Sequence, residues 1–220
     1  MTSLFSIFDP ATSSLLSLNW FSSLITFIML PLSFWFIPSR YSNLLNIITT
    51  FMINEFKTIK SIKSSSLIFI SLFLMIMINN IMGLFPYIFT SSSHLVMSMS
   101  LALPLWLSFM LFGWINNYYH MFIHLVPLGT PALLMPFMVI IETISNIIRP
   151  ITLSVRLSAN MIAGHLLISL ISSTMSSSST LIPIILIVQN LMFILEISVA
   201  IIQSYVFSIL STLYCKESMN

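Results

Sequence analysis

ALLMPFMVIIETISNIIRPITLSVRLSANMIAGHLLISLI, residues 132–171, is an apolar run whose only ionisable residues are Glu142, Arg149, Arg156 and His165. It is about twice as long as a membrane span, since roughly 20 helical residues cross a hydrocarbon core of about 30 Å. A second long run, residues 181–214, follows the serines at 176–179. A straight helix of that second length measures about 51 Å at 1.5 Å per residue. Crossing the core with it demands a tilt of roughly 50°, beyond the usual range. Either each run divides into two short spans, or the two form a long, steeply inclined hairpin. Division needs a turn near Arg149-Pro150, where no glycine or polar cluster is available to make one. The hairpin is therefore expected, with arms over 132–175 and 181–214. Pro150 should kink the first arm, because the bond to the Asn146 carbonyl is missing.

The rest of the chain has the same character. Its 220 residues are 58% hydrophobic and 5% charged, whereas about a quarter of a soluble domain is charged. The apolar runs are continuous and do not alternate with period two, so helices are expected and not a barrel. The fold class is all-α and polytopic, a single membrane domain over 1–220. It comprises three transmembrane helices, one surface amphipathic helix and the tilted hairpin. The three spans are expected over 18–37, 67–89 and 95–115. Pro31 interrupts the first, which neighbouring helices can accommodate in a membrane. Thr90-Ser91-Ser92-Ser93 forms a tight link that makes the second and third antiparallel neighbours. Asn79, Asn80 and Gly83 are small or polar and should face protein. Over 41–63, Leu44, Ile48, Phe51, Met52, Phe56, Ile59 and Ile62 recur at three- and four-residue steps, with Glu55, Lys57, Lys60 and Lys63 interspersed. That pattern predicts an amphipathic helix lying along the membrane surface.

A net charge of +2 is too small to imply nucleic acid, and no basic, aromatic-rich segment exists to bind it. Cys215 is the single cysteine, so no internal disulfide is expected, and no Cys/His pattern suggests a metal. Asp9-Pro10 and the serine-rich start lack a basic leading region and do not read as a cleaved signal. The chain is expected to enter its membrane through its own spans. Arg40 and the three lysines that follow place the 40–63 segment on the cytoplasm- or matrix-equivalent side. The N-terminus is then outside and the C-terminus inside.

Ionisable groups at membrane depth cost about 2.5–3.5 kcal/mol each on insertion scales, so their positions carry information about function. Glu142, Arg149 and Arg156 are spaced by seven and lie along one helix face. Asn160 follows Arg156 at i+4 on the neighbouring flank. His165, nine residues beyond Arg156, points to roughly the opposite side. On the second arm Glu196 and Gln203 are again seven apart, with Gln189 a further polar group. In an antiparallel hairpin, facing residues have a constant index sum, which the serine loop sets near 356. Arg156 with Gln203 gives 359, and His165 with Glu196 gives 361. Two polar pairs in one register predict a polar path along the hairpin, with His165/Glu196 nearer the outer surface.

Simpler roles compete for some of these residues. Arg149 fits an anchor reaching the inner interface, or a partner for Glu142. A lone histidine in a helix is commonly a packing residue, and the facing carboxylate is what favours function for His165. Arg156 is hardest to explain in that way. It never deprotonates at physiological pH, and the nearest carboxylate on its own face, Glu142, is about 21 Å away along the helix. Its partner is expected on another protein. His120 and His124 have the spacing of a metal pair but lack a glutamate between them, so a loop or interface role is expected.

VRLSANMIAGHLL around Arg156, with ETISNIIRP before it, resembles the signature of subunit a of F-type ATP synthases in its mitochondrial form. NNIMGLFPYIFT, HLVPLGTP and EISVAIIQSYVFSIL extend the resemblance over essentially the whole chain. It implies that Arg156 faces the rotor ring, flanked by Asn160 and Gln203. It implies further that His165 and Glu196 line a half-channel from the intermembrane space, with Glu142 on the matrix-side exit. Arg149 is less firmly defined by the pattern. Bacterial relatives carry an acidic residue at the His165 position and a histidine at the Glu196 position, so this arrangement points to the mitochondrial branch.

The mechanism that the resemblance implies is consistent with the chemistry of these residues. A rotor carboxylic acid must be neutral to face lipid, while Arg156 nearby favours its ionised form. A proton arriving through His165/Glu196 neutralises the carboxylate, which rotates through lipid and releases the proton on the Glu142 side. The resemblance implies as partners a ring of c subunits, other stator subunits, lipid and protons, with no cofactor and no ATP chemistry on this chain alone. The implied location is the mitochondrial inner membrane, with the N-terminus in the intermembrane space and the C-terminus in the matrix. A quinone- or haem-binding subunit is the competing membrane class, but His94, His120 and His124 sit near span ends or in a loop. An intramembrane hydrolase with paired aspartates is a third, and Asp9 is the only aspartate.

Overall fold

The computed structural model describes residues 4–13, 16–31, 36–59, 63–126, 131, 134–175 and 182–219. Seven α-helices account for most of these residues: α1 Ile25–Met29, α2 Arg40–Ile59, α3 Lys63–Gly83, α4 Leu95–Asn116, α5 Tyr118–His124, α6 Met135–Met175 and α7 Ile182–Met219. Short 3-10 turns occupy Leu4–Phe8, Leu18–Leu24 and Ser91–Ser93. No strand is present among the described residues. Four helices, α3, α4, α6 and α7, are long and apolar enough to cross a membrane. The protein is thus an all-α, polytopic membrane protein.

The two long runs remain unbroken. α6 passes through Pro150 and α7 has no interruption, so division into short spans does not occur. α7 reaches Met219, beyond the Tyr214 expected from the apolar pattern. The serines between the arms lie outside the described residues. The arms interlock with α3 and α4, and α3–α7 is the most extensive contact.

Hydroxyl groups are accommodated inside this apolar bundle by local bonding. Ser154, Ser204, Ser208 and Ser211 each donate to the carbonyl three residues earlier, at 2.7–2.9 Å. Each is nearly or fully buried. A serine bonded in this way has no unmet donor, so it can occupy a helix–helix contact where a larger side chain would hold the backbones apart.

Two expected boundaries are corrected. The first span does not continue helically over 18–37: the helix stops at Met29, and Leu30 is extended with ψ 119°. The residue before a proline is driven out of the helical region, and Pro31 follows. Residues 32–35 lie outside the described residues, and no helix occupies 36–39. The second span ends at Gly83 and not at Phe89, because the chain turns back through Pro86 and Tyr87, whose φ is 68°. The link after it is buried throughout, from Thr90 to Ser93. Thr90 Oγ1 donates to Ser93 Oγ at 3.1 Å, and Ser93 Oγ donates to the Thr90 carbonyl at 2.7 Å. A side chain at Gly83 would meet Thr90 Cγ2 at 2.9 Å, so the glycine permits this fold-back.

α2 docks on the bundle by part of its apolar face. Met52 and Phe56 are buried against Phe69 and Phe73 of α3 and Cys215 of α7. Leu44 and Phe51, expected on the same face, are exposed together with Ile47. One apolar edge of α2 is therefore engaged by protein and a second is left free. Lys60 and Ile62 lie outside the described residues.

Candidate functional site

Arg156 is exposed on α6 among Ile151, Thr152, Val155, Ala159 and Asn160, while Leu153, Leu157 and Ser158 of the same helix are buried. The helix thus packs by one side and presents the arginine on the other. No ion pair among the described residues includes Arg156.

Gln203, which the index sum set opposite Arg156, is bonded elsewhere. Asn160 Nδ2 donates to Gln203 Oε1 at 3.1 Å, and Gln203 is almost fully buried. An index sum fixes the level along two antiparallel arms but not the azimuth, and each residue turns the side chain by about 100°. Asn160 is on the flank of α6 that meets α7, and Arg156 is not.

Azimuth matters for the second pair as well. Glu196 lies against Gly164, not in an ion pair with His165. A Cβ on Gly164 would fall 2.5 Å from Glu196 Oε1 and 2.8 Å from its Cδ. The carboxylate rests on bare α6 backbone and is 9% exposed. Glu196 Oε2 and His165 Nε2 are both buried and have no hydrogen-bond partner among the described residues. Buried polar atoms without a protein partner are normally satisfied by water. His165 lines a cavity of about 590 Å³ together with Ser169, Ser172, Gln189 and Asn190. Along α6 this group lies about 14 Å from Arg156. The chain therefore holds a cavity large enough for several waters, with polar groups in its wall, and an arginine without an ion pair among the described residues at a different depth.

At the far end of α6, Arg149 is tied down. Its Nη1 donates to Glu217 Oε2 at 2.8 Å, and its Nη2 is 3.6 Å from Glu142 Oε1. The guanidinium also stands over the Tyr214 ring, 5.3 Å from its centre. Glu142, Arg149 and the last turns of α7 form one cluster. Among the described residues no three His, Cys, Asp or Glu side chains come together as a metal site would require.

Sequence reasoning missed Gly164, Glu217 and the N-terminal turn. An isolated glycine within a helical pattern signals close approach of another element, and here it directly precedes His165. Glu217 lies in the last turn of α7, beyond the Tyr214 at which the apolar pattern ends. No sequence signal placed the N-terminus near His165.

The profile of the ATP synthase A chain family matches residues 14–216. ATP synthase subunit a of Anopheles quadrimaculatus is 57% identical, that of Drosophila melanogaster 58% and that of Locusta migratoria 59%, each over 99% of both chains. Similarity of this extent spans α6 and nearly all of α7. The chain belongs to the ATP synthase A chain family, the subunit a of F-type ATP synthases.

Proposed function

We propose that this proton-translocating subunit of the ATP synthase membrane sector works through two offset half-channels. The chain forms one membrane domain over 1–220, carries out no ATP chemistry alone, and faces a rotor ring of c subunits alongside other stator subunits. The access half-channel comprises the His165 cavity and Glu196. Asn160 and Gln203 flank Arg156, and Glu142 lies on the exit side. A ring carboxylate beside Arg156 is held ionised by the opposite charge. Protonated from the His165 side, it becomes neutral, leaves the arginine and can enter lipid. The permanent charge on Arg156 also blocks a proton from passing straight between the half-channels. Basic Arg40 and Lys57 support a matrix-side position for α2 at the mitochondrial inner membrane. The N-terminus is then in the intermembrane space and the C-terminus in the matrix.

The observation that carries this reading is the state of Arg156, exposed on an apolar helix and in no ion pair among the described residues. A cation that cannot deprotonate needs an anion from elsewhere at membrane depth. Ala159, exposed one turn from it, offers the test. In the assembled complex, Ala159→Cys should form a disulfide with a cysteine placed beside the ring carboxylate, and the bond should stop proton transport. Cross-linking to some other subunit, with none to the ring, would overturn the assignment.

The Arg149 cluster acts in this scheme as a strap between the two arms. Glu217→Gln should lower the stability of the assembled complex by about 0.2–1 kcal/mol, as for a partly exposed ion pair, and leave proton transport close to normal. Differential thermal unfolding with a parallel transport assay reads both. Loss of transport without loss of stability would move Arg149 from strap to proton path.

A further inference from the structure

The cavity that contains His165 is closed on one side by the start of the chain. Ile7, in the 3-10 turn Leu4–Phe8, lines it together with His165 of α6 and Gln189 of α7. The next residue, Phe8, sets its ring edge-on to the His165 imidazole, with centroids 6.4 Å apart and planes at 82°. No other ring contact to His165 is found among the described residues.

This turn is fastened in place. Asp9 Oδ1 accepts from the Ala11 amide at 3.0 Å, and the Asp9 carbonyl accepts from Asn19 Nδ2 at 3.1 Å. Asn19 belongs to the turn Leu18–Leu24, which is itself anchored by Trp20 against Phe89 and His94, at 5.9 and 5.2 Å between centroids. A continuous set of contacts therefore runs from the outer ends of α3 and α4, through Asn19 and Asp9, to Phe8 and His165.

We propose that Phe8 is a positioning residue for His165, and that the N-terminal turn forms the outer wall of the His165 cavity. The inference rests on the reading that His165 lies on the proton path. Phe8 offers neither a proton nor a charge, so its effect is on the imidazole's orientation and on solvent access to it. Edge-to-face ring contacts are worth about 0.5–1.5 kcal/mol, which is a factor of about 2 to 12 in an equilibrium. Losing the ring should change the fraction of correctly oriented imidazole by a factor within that range.

The test is the rate at which diethyl pyrocarbonate modifies His165 in the assembled, reconstituted complex, read by mass spectrometry. Phe8→Ala should raise that rate by about fivefold, leave modification of His120 unchanged, and slow ATP-driven proton pumping. Phe8→Tyr retains the ring and should restore both. Asn19→Ala, which releases the Asp9 carbonyl, should also raise the His165 rate and so probes the wall without altering Phe8. Unchanged His165 labelling in both Phe8→Ala and Asn19→Ala would overturn the proposal. His165→Gln separates this outcome from failure of the underlying reading. If proton transport survives that substitution, His165 is off the path whatever the labelling shows. If it is lost while Phe8→Ala labels and pumps as the unmodified complex does, only the role of Phe8 is refuted.

Discussion

Arg156→Gln should abolish proton-driven ATP synthesis in a complex that still assembles. The side chain is exposed on α6 and forms no ion pair among the described residues, so its removal breaks no such pair and leaves no partner charge buried behind. What disappears is the attraction that keeps a ring carboxylate ionised beside the stator. At contact distance and an effective dielectric of about 20, that attraction is about 4 kcal/mol, or roughly a thousandfold in the ratio of ionised to neutral acid. Without it, the acid in a low-dielectric surround remains protonated and cannot discharge its proton toward Glu142. The barrier between half-channels is lost in the same step. Arg156→Lys should not rescue coupling, because a desolvated ammonium sheds its proton where a guanidinium does not. Normal rates of proton-driven ATP synthesis in the Gln variant, measured in energised vesicles with complex assembly verified on a native gel, would exclude this role for Arg156.

The helices could be read from the chain because apolar length is a direct consequence of bilayer thickness. The runs that became α3, α4, α6 and α7 needed no tertiary information. Their ends did, and the glycine at Gly83 shows why. The apolar pattern continues past it to Phe89, so only the contact between Gly83 and Thr90 reveals that the chain has already turned back. The same limit applies to Thr90–Ser93, a tight link whose burial no local pattern records. The Thr90 and Ser93 hydroxyls bond to each other and to local backbone, which lowers the cost of burying it. For the site, spacing gave the residues and their approximate levels. It could not say which neighbour each one touches, since that depends on azimuth. One residue of rotation moved Glu196 from His165 to Gly164, and one turn moved Gln203 from Arg156 to Asn160. Phe8 was beyond reach for a different reason: its contact spans more than 150 residues of sequence, and nothing in a short 3-10 turn records its partner.

Gly164→Ala should reduce proton transport by at least tenfold and as much as ~100-fold, the range associated with a misplacement of about 1 Å at a reacting group. The added methyl would lie 2.5 Å from Glu196 Oε1, 2.8 Å from Cδ and 3.1 Å from Cγ. Swinging the carboxylate tip away cannot relieve all three contacts, because the side-chain stem is also too close. Glu196 must leave its place on the α6 backbone at Gly164, the residue that precedes His165. The helix itself should not suffer, since alanine is favoured over glycine within a helix by about 1 kcal/mol. Loss of function with retained assembly is therefore the expected signature, in contrast to a folding defect. Glu196→Asp supplies the complementary change, drawing the carboxylate back by one methylene. Alone it too should impair transport, because the acid no longer reaches α6. Combined with Gly164→Ala it removes the clash, so the double variant should transport faster than Gly164→Ala alone. Residues in direct contact produce such non-additivity, while independent sites do not. ATP-driven acidification of proteoliposomes measures all four forms on one scale. A native rate for Gly164→Ala, or a double variant whose losses simply multiply, would show that the contact between Glu196 and the α6 backbone is not what sets the carboxylate's function.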